Sequence, residues 1–273
     1  MIIAMVLDEL EGLRMIIKRA ENAKGVIVAI HGAFEHSGRY EWLFDRFNYF
    51  GFHVVAGDLP GQGKTKGKRG HIRSFTEYIV TVLSWIDEAK KFDLPVFLFG
   101  HSMGGLTAIR TVQQHKTEVS GIILSSPALG MKNGLARPVY YASKLLNLAT
   151  PSLRFSTNIR TNIATRNEGY NAHDVSDPLH IRKVSVRWYH EFEKAISAAF
   201  KEMDEYPNIP TLLLQGGVDH LVEVEAVKEW FNGIDTYEKT IKIYDGLYHE
   251  ILNEPERETV LEEVITFMEK HLK

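Results

Sequence analysis

The segment Phe99-Gly100-His101-Ser102-Met103-Gly104-Gly105 constrains the fold of this chain more than any other part of the sequence. An apolar run over residues 95–99 precedes it, and residues 106–112 can continue it as a helix. A strand that turns directly into a helix strains the residue at the turn, so glycines must flank it. The pattern predicts a nucleophile elbow, which exposes the Ser102 hydroxyl at a sheet edge. The alternative is a glycine-rich turn whose serine only caps the helix.

Length and composition indicate a folded globular protein. The chain has 273 residues, of which 44% are hydrophobic and 25% charged, so it can bury a large core. Its 32 Lys and Arg against 35 Asp and Glu give a net charge of -3, so nothing in the charge favours a nucleic-acid partner. The absence of cysteine excludes disulfides, thiolate metal sites and a cysteine nucleophile.

The amino-terminal sequence bears on localisation. Residues 1–9 have no basic leader, and acidic residues interrupt their short apolar run, so they do not resemble a signal peptide. No apolar segment approaches the roughly 20 residues that a transmembrane helix needs. We therefore expect a soluble, cytoplasmic protein, with peripheral contact to membranes left open.

Strand and helix patterns alternate along most of the chain. Strands are predicted near 15–18, 25–30, 53–56, 96–99, 121–124, 211–215 and 240–244, with helices between them. This order predicts an α/β fold with a mainly parallel central sheet and helices on both faces. Between residues 130 and 206 the pattern is mostly helical. We expect residues 1–129 and 207–273 to form the core, and 130–206 an inserted helical cap over the carboxyl ends of the strands.

An ordinary serine hydroxyl is a poor nucleophile, so Ser102 needs a base, and histidine is suited to that role. His31 and His101 lie at strand ends beside glycines, where structural hydrogen bonding is expected. His249 differs, because it follows the last predicted strand on a loop before the closing helix. This position brings it to the sheet edge that carries the elbow, and His249 is the predicted base.

The acid that orients the base should lie between serine and histidine in the chain, on a turn after a strand. Asp219 fits this position, because it ends the turn Gln215-Gly216-Gly217-Val218 after the strand at 211–215. Asp235 and Asp245 are weaker candidates on surface connections. The alternative for Asp219 is a helix N-cap.

Ester or amide cleavage also needs two donors for the oxyanion. The backbone amide of Met103 follows the nucleophile, and the amide of Ala33 lies on the loop after an early central strand. Phe34 is the reserve candidate for the second donor. Losing one such donor typically raises the barrier by about 3–4 kcal/mol.

The sequence predicts neither cofactor nor metal. Gly63-Lys64-Thr65 resembles the end of a phosphate-binding loop, but Asp58 stands where the first glycine is required. His249-Glu250 resembles the start of a zinc-binding helix, but Asn253 stands in place of the second histidine.

Four ordered segments resemble the monoacylglycerol lipase and lysophospholipase branch of the α/β-hydrolases. They are an oxyanion loop at 31–40, the elbow at 100–105, an acid loop at 214–219 and a histidine loop at 243–249. The resemblance implies a Ser102–His249–Asp219 triad, with oxyanion amides from Ala33 and Met103. It runs from about residue 12 to the carboxyl terminus and is weakest in the insertion.

The chain departs from its relatives near the oxyanion loop. Phe34 stands where relatives often have glycine, while Gln62 and Thr65 replace a histidine and a serine. None of these departures touches the triad. They bear on the prediction of the substrate more than on the prediction of the reaction.

By this resemblance we expect hydrolysis of monoacylglycerols to fatty acid and glycerol through an acyl-enzyme. A carboxylesterase, a lysophospholipase or a small-peptide aminopeptidase are alternatives on the same scaffold. Epoxide hydrolases and dehalogenases are disfavoured because they attack with aspartate. A non-catalytic member of the superfamily that binds an apolar ligand is an alternative of another class. The oligomeric state stays open.

The insertion contains an unusually apolar helical segment at 138–150. Its polar residues Ser143, Lys144 and Asn147 fall on one narrow face of a helix. One interpretation is a cap helix that packs on the core and lines a dry pocket. The other is a lid that makes transient contact with lipid interfaces.

Overall fold

A seven-stranded sheet organises the protein. The structure is a computed structural model that describes residues 15–132, 134–157 and 161–272. The strands follow the order β1-β3-β2-β4-β5-β8-β9, and only β1 runs antiparallel to its neighbour. They are β1 (Met15–Lys18), β2 (Gly25–Ile30), β3 (Phe52–Gly57), β4 (Val96–His101), β5 (Gly121–Ser125), β8 (Thr211–Gly216) and β9 (Lys239–Tyr244).

Helices cover both faces of this sheet. The α-helices of the described residues are, in chain order, α1 (Glu41–Tyr49), α2 (Thr76–Lys90), α3 (Met103–Gln114), α4 (Arg137–Ala149), α5 (Glu168–Ser176), α6 (Val186–Lys201), α7 (Val224–Gly233) and α8 (Arg257–Lys270). Every residue of β2 is buried, and its side chains alternate between the two faces. Val26 and Val28 pack with α2 and α3 on one face, whereas Ile27 packs with α1 and α8 on the other. The predicted fold class is confirmed.

Most predicted elements lie within two residues of their observed bounds. The main differences are at the ends of strands, where β4 continues through His101 and β8 through Gly216. The prediction for residues 1–9 falls outside the described residues. Within the described part of the chain, no helix is long and apolar enough to cross a membrane.

The segment between β5 and β8 carries α4, α5 and α6. It also contains two short strands, β6 (Arg154–Ser156) and β7 (Lys183–Ser185), which pair antiparallel in a separate sheet. The sequence pattern missed these strands because each has only three residues, too few for a period to be read. Helix α6 contacts α3 of the core, and α4 contacts α6.

Helix α4 packs by its polar face. Of its side chains only Ser143 is buried, with its hydroxyl 2.9 Å from His190 Nε2 of α6. Asn147 Oδ1 of α4 accepts a hydrogen bond of 2.6 Å from Arg187 Nε, which also belongs to α6. Leu145 and Leu148 point away and are 71% and 80% exposed. The interpretation of this helix as packed on the core and lining a pocket is therefore wrong.

Candidate active site

Ser102 lies at the turn between β4 and α3, in strained backbone geometry. Its φ of 53° is in the left-handed region, which a serine rarely adopts. Side chains at the flanking glycines would collide with backbone: a Cβ on Gly100 would lie 2.5 Å from Gly104 O, and one on Gly104 would lie 2.2 Å from Ile30 O. Glycine is thus required on both sides, as the elbow pattern predicts.

His249 and Asp219 meet Ser102 at this edge of the sheet. His249 Nε2 lies 2.9 Å from Ser102 Oγ, and His249 Nδ1 lies 2.7 Å from Asp219 Oδ2. The geometry fits the tautomer in which Nδ1–H donates to the carboxylate and Nε2 accepts from the hydroxyl. The three side chains therefore form one chain of hydrogen bonds, from elements far apart in sequence.

The acid is held by its own loop. Asp219 is fully buried, and its Oδ1 accepts from two loop amides, at 2.8 Å from Leu221 and 2.9 Å from Val222. Its Oδ2 accepts a further bond of 2.8 Å from Gln215 Nε2. These donors fix the carboxylate, and the fixed carboxylate orients the imidazole of His249.

The electrostatics of the pair favour a charged acid and a basic histidine. Burial would raise the pKa of Asp219, but the charge and hydrogen bond of His249 lower it to about 2. Burial would lower the pKa of His249, but the charge and hydrogen bond of Asp219 raise it above its ordinary value. Asp219 is thus ionised at neutral pH, and His249 is a stronger base than a free imidazole.

The competing histidines make other contacts. His31 Nδ1 lies 2.7 Å from Gly32 O, and its Nε2 accepts from the amide of Leu59. The ring of His101 lies 4.9 Å from that of His249, with Nδ1 3.1 Å from Ser125 Oγ. Burial lowers the pKa of His101 to about 4, and the nearby His249 also lowers it. His101 is therefore neutral beside the site.

The weaker acid candidates lie at the surface. Asp235 and Asp245 are both exposed. Neither has a hydrogen bond to His249, whose Nδ1 contacts Asp219.

The predicted oxyanion amides have no acceptor within the described residues, whereas the reserve amide does. Phe34 N donates to Gln62 Oε1 at 2.6 Å, so it is engaged. The loop lies against the elbow, since a Cβ on Gly32 would lie 3.3 Å from Ser102 Cβ. Ala33 and Met103 therefore remain the candidate donors.

A cavity of about 720 Å³ opens beside Ser102. This volume suits a ligand of the size of a single-chain lipid. Its apolar lining comes mainly from the insertion and includes Met131, Leu135, Phe155, Val184, Trp188, Tyr189 and Phe192. The sequence pattern did not indicate α6 as a cavity wall, and one of the two interpretations of the segment at 138–150 placed that wall there. The sequence feature that could have indicated this wall is the pair of aromatic residues Trp188 and Phe192, which lie four positions apart in α6.

One part of the cavity lining is a cluster of charged side chains around Arg39. Arg39 lies 2.9 Å from Asp174 and 3.0 Å from Glu250, and 3.2 Å from Glu35. Burial raises the pKa of Asp174 to about 7 although Arg39 opposes the rise, and the two glutamates add repulsion. Sequence reasoning assigned no role to these residues, because they come from three separate segments.

A metal site is not apparent in the described ranges. No three histidine, aspartate or glutamate side chains there are arranged to hold an ion.

Comparisons with known proteins show the family to which the chain belongs. Residues 21–256 match the family described as serine aminopeptidase, S33. Phospholipase YtpA of Bacillus subtilis (strain 168) is 49% identical over 255 residues, which cover 93% of this chain and 98% of the relative. The human monoglyceride lipase is 34% identical over 235 residues, covering 83% of this chain and 75% of that protein. A crystal structure of Paleococcus ferrophilus monoacylglycerol lipase has a TM-score of 0.87 at 32% identity, covering 95% of this chain and 99% of that one.

A mainly parallel sheet with a serine on its elbow and a histidine and an aspartate at the same edge defines the α/β-hydrolase class. The match over residues 21–256 and the similar relatives are more specific. The chain belongs to the serine aminopeptidase S33 family, in the branch of monoacylglycerol lipases and lysophospholipases. It is a carboxylic ester hydrolase, and the resemblance found in the sequence is confirmed.

Proposed function

We propose that this protein hydrolyses monoacylglycerols to fatty acid and glycerol, with Ser102, His249 and Asp219 as its catalytic triad. The observation that carries the proposal is the 2.9 Å contact between His249 Nε2 and Ser102 Oγ at the mouth of the cavity. An activated hydroxyl beside a cavity of single-chain size suits the ester of one acyl chain.

The reaction proceeds in two steps. Ser102 Oγ attacks the ester carbonyl while His249 Nε2 takes its proton, and the amides of Ala33 and Met103 stabilise the oxyanion. The ester C–O bond then breaks, and His249 returns the proton to the departing glycerol oxygen. Water attacks the acyl-enzyme by the same route, which releases the fatty acid and restores Ser102. Asp219 keeps the imidazole in the reactive tautomer throughout.

Two parts of the cavity lining suit the two parts of such a substrate. The aromatic and aliphatic wall of α6 and its neighbours suits the acyl chain. The charged side chains around Arg39 offer hydrogen-bonding groups to the glycerol hydroxyls.

We also propose that residues 130–206 form a cap and that α4 touches lipid surfaces transiently. Support comes from the outer apolar surface of this cap, defined as the exposed residues Val139, Tyr141, Leu145, Leu146, Leu148 and Leu153. An exposed apolar patch of this kind marks an interaction site. Lys144, whose Nζ lies 4.7 Å from the centre of the Tyr140 ring, suits an anionic headgroup layer.

A second candidate substrate is a lysophospholipid. It is favoured by the relative named as a phospholipase, which is 49% identical over 255 residues. A lysophospholipid also has a single acyl chain, so it makes the same demands on the apolar wall.

A turnover panel tests the proposal. Monoacylglycerols, lysophospholipids, p-nitrophenyl esters and an aminoacyl amide are compared at equal enzyme concentration, with Ser102→Ala as the blank. We expect the highest kcat/KM on monoacylglycerols. A higher value on lysophospholipids would select the second candidate. No turnover of any ester, with apolar ligands still bound, would contradict both and favour a binding protein.

A further inference from the structure

The oxyanion loop, residues 31–40, carries Ala33, and two hydrogen bonds hold its peptides, one from Gln62 of the core and one from within the loop. Phe34 has a φ of 72°, in the region where side chains are strained. Its amide donates to Gln62 Oε1 at 2.6 Å. The amide of Gly32 donates to Glu35 Oε1, also at 2.6 Å. These bonds fall on either side of the Ala33 amide.

A segment of the insertion, residues 174–181, holds the same loop from the opposite side through three contacts. Phe34 O accepts from the amide of Ile181 at 2.8 Å. His36 Nε2 lies 2.9 Å from Asp177 Oδ2. The guanidinium of Arg39 lies 2.9 Å from Asp174 Oδ1. The contacts are spaced along the oxyanion loop, so the segment restrains most of its length.

The two side-chain contacts, Arg39 with Asp174 and His36 with Asp177, are well shielded from water. The side chains of Arg39 and Asp174 are each 3% exposed, and Asp177 is 5% exposed. Shielded polar contacts are stronger than exposed ones because the local dielectric is low. His36 Nδ1 accepts from the amide of Gly38, so Nε2 carries the hydrogen that faces Asp177.

Further contacts link the Asp174–Arg39 pair to the peptides beside Ser102. Arg39 also lies 3.2 Å from Glu35 Oε2, and the other oxygen of Glu35 accepts from the amide of Gly32. An unbroken set of polar contacts thus joins α5 to the peptide next to Ala33. A shift of α5 would be transmitted to the loop through these contacts, of which the two of Arg39 are charge contacts and the one to the Gly32 amide is a hydrogen bond.

We propose that Asp174 and Asp177 are positioning residues, which hold the oxyanion loop so that the Ala33 amide points at the developing oxyanion. The inference rests on the proposed function, since it presupposes that Ala33 is an oxyanion donor. It makes the insertion part of the catalytic geometry, in addition to its role as a wall of the cavity.

Asp177→Asn, Asp174→Asn and the double variant test the proposal. Asp177 Oδ1 accepts from Leu179 N and Oδ2 faces His36, so either orientation of an asparagine amide sets two N–H groups against each other. A misplacement of about 1 Å costs on the order of 10²-fold in rate. We expect kcat to fall roughly tenfold in each single variant and on the order of 10²-fold in the double variant, with KM within about twofold.

A transition-state analogue distinguishes positioning from stability. A trifluoromethyl ketone with a single alkyl chain adds to Ser102 and places its oxyanion at the two amides. Its Ki should rise by the same factor as kcat falls. All rates are taken per active site, titrated with a fluorophosphonate, so partial unfolding does not count as lost catalysis.

Glu202→Gln is the matched control. It removes the negative charge from a different contact between the insertion and the core, the 2.6 Å contact of Glu202 with Arg110 of α3, which does not involve the oxyanion loop. We expect its kcat and Ki to stay unchanged. Unchanged kcat and Ki in the double variant, or equal losses in the control, would overturn the inference. A failure of the proposed function would instead appear as absent ester turnover in the unmodified protein.

Discussion

Helices α3 and α4 are both rich in apolar residues, yet α3 is almost entirely buried and α4 is mostly exposed. In α3 every residue from Met103 to Gln113 is buried, including Arg110. In α4 only Ser143 is buried, and its leucines face outward. The first helix has a sheet on one side and α6 on another, whereas the second packs mainly on α6, through a polar face. The comparison teaches that the neighbours of a helix, and not its composition, decide which side chains are buried.

The largest expected effect lies at the start of α3. Ser102→Ala should lower kcat by about 10⁴–10⁶-fold, because it removes the nucleophile and leaves only the oxyanion donors and binding. The melting temperature should change little, since one hydroxyl at a strained turn is lost. Steady-state kinetics and calorimetry check both parts. Near-normal turnover would place the nucleophile elsewhere.

Asp219→Asn should have the next largest effect. The asparagine keeps the shape of the side chain but favours the wrong tautomer of His249, so kcat should fall by about 10⁴-fold. Steady-state kinetics measure the loss. A decrease of less than tenfold would show that another group orients the histidine.

A matched pair of leucines tests the difference in burial directly. Leu106 of α3 is fully buried and Leu148 of α4 is 80% exposed. Leu106→Ala should lower the free energy of unfolding by about 2–5 kcal/mol. Leu148→Ala should change it by less than about 0.5 kcal/mol. Denaturant titrations measure both, and equal losses would contradict the outward orientation of α4.

The outer apolar surface should matter only at a lipid interface. Leu145→Ser combined with Leu148→Ser should reduce turnover of monoacylglycerol in vesicles about tenfold, since partial burial of two leucines in lipid contributes on the order of 1–3 kcal/mol. Turnover of a water-soluble p-nitrophenyl ester should not change. A parallel loss on both substrates would indicate damage to the site and not to lipid contact.

The smallest expected effect is a pH shift. Only the neutral form of His249 can take the proton of Ser102, so activity rises as pH increases through the pKa of the histidine. Because Asp219 raises that pKa, the acidic limb of the kcat/KM profile should lie above about 6.5. A midpoint below this value would mean that burial of the imidazole outweighs the aspartate.

The sequence predicted the sheet well because its central strands β2, β4, β5 and β8 are fully buried and appear in the sequence as apolar runs. It also indicated where Ser102, Asp219 and His249 come together, since each follows a strand and parallel strands end at one edge. It could not predict the orientation of α4. A polar stripe normally faces water, but here Ser143 meets a polar partner, His190, on a neighbouring helix.

The contacts of Asp174 and Asp177 could not be predicted from the sequence either. They join the oxyanion loop to residues about 140 positions away in the chain, with His36 and Asp177 141 residues apart. No local period or motif marks such a pair, because its geometry depends on how the chain between β5 and β8 packs against the oxyanion loop.

The proposed reaction depends most on proton transfer from Ser102 to His249, and covalent labelling tests whether His249 activates the serine. The protein and the His249→Ala variant are treated with a fluorophosphonate and analysed by intact mass and peptide mapping. We predict one equivalent of label on Ser102 in the unmodified protein and none in the variant. Label at another residue, no label in the unmodified protein, or equal labelling of both proteins would contradict the account.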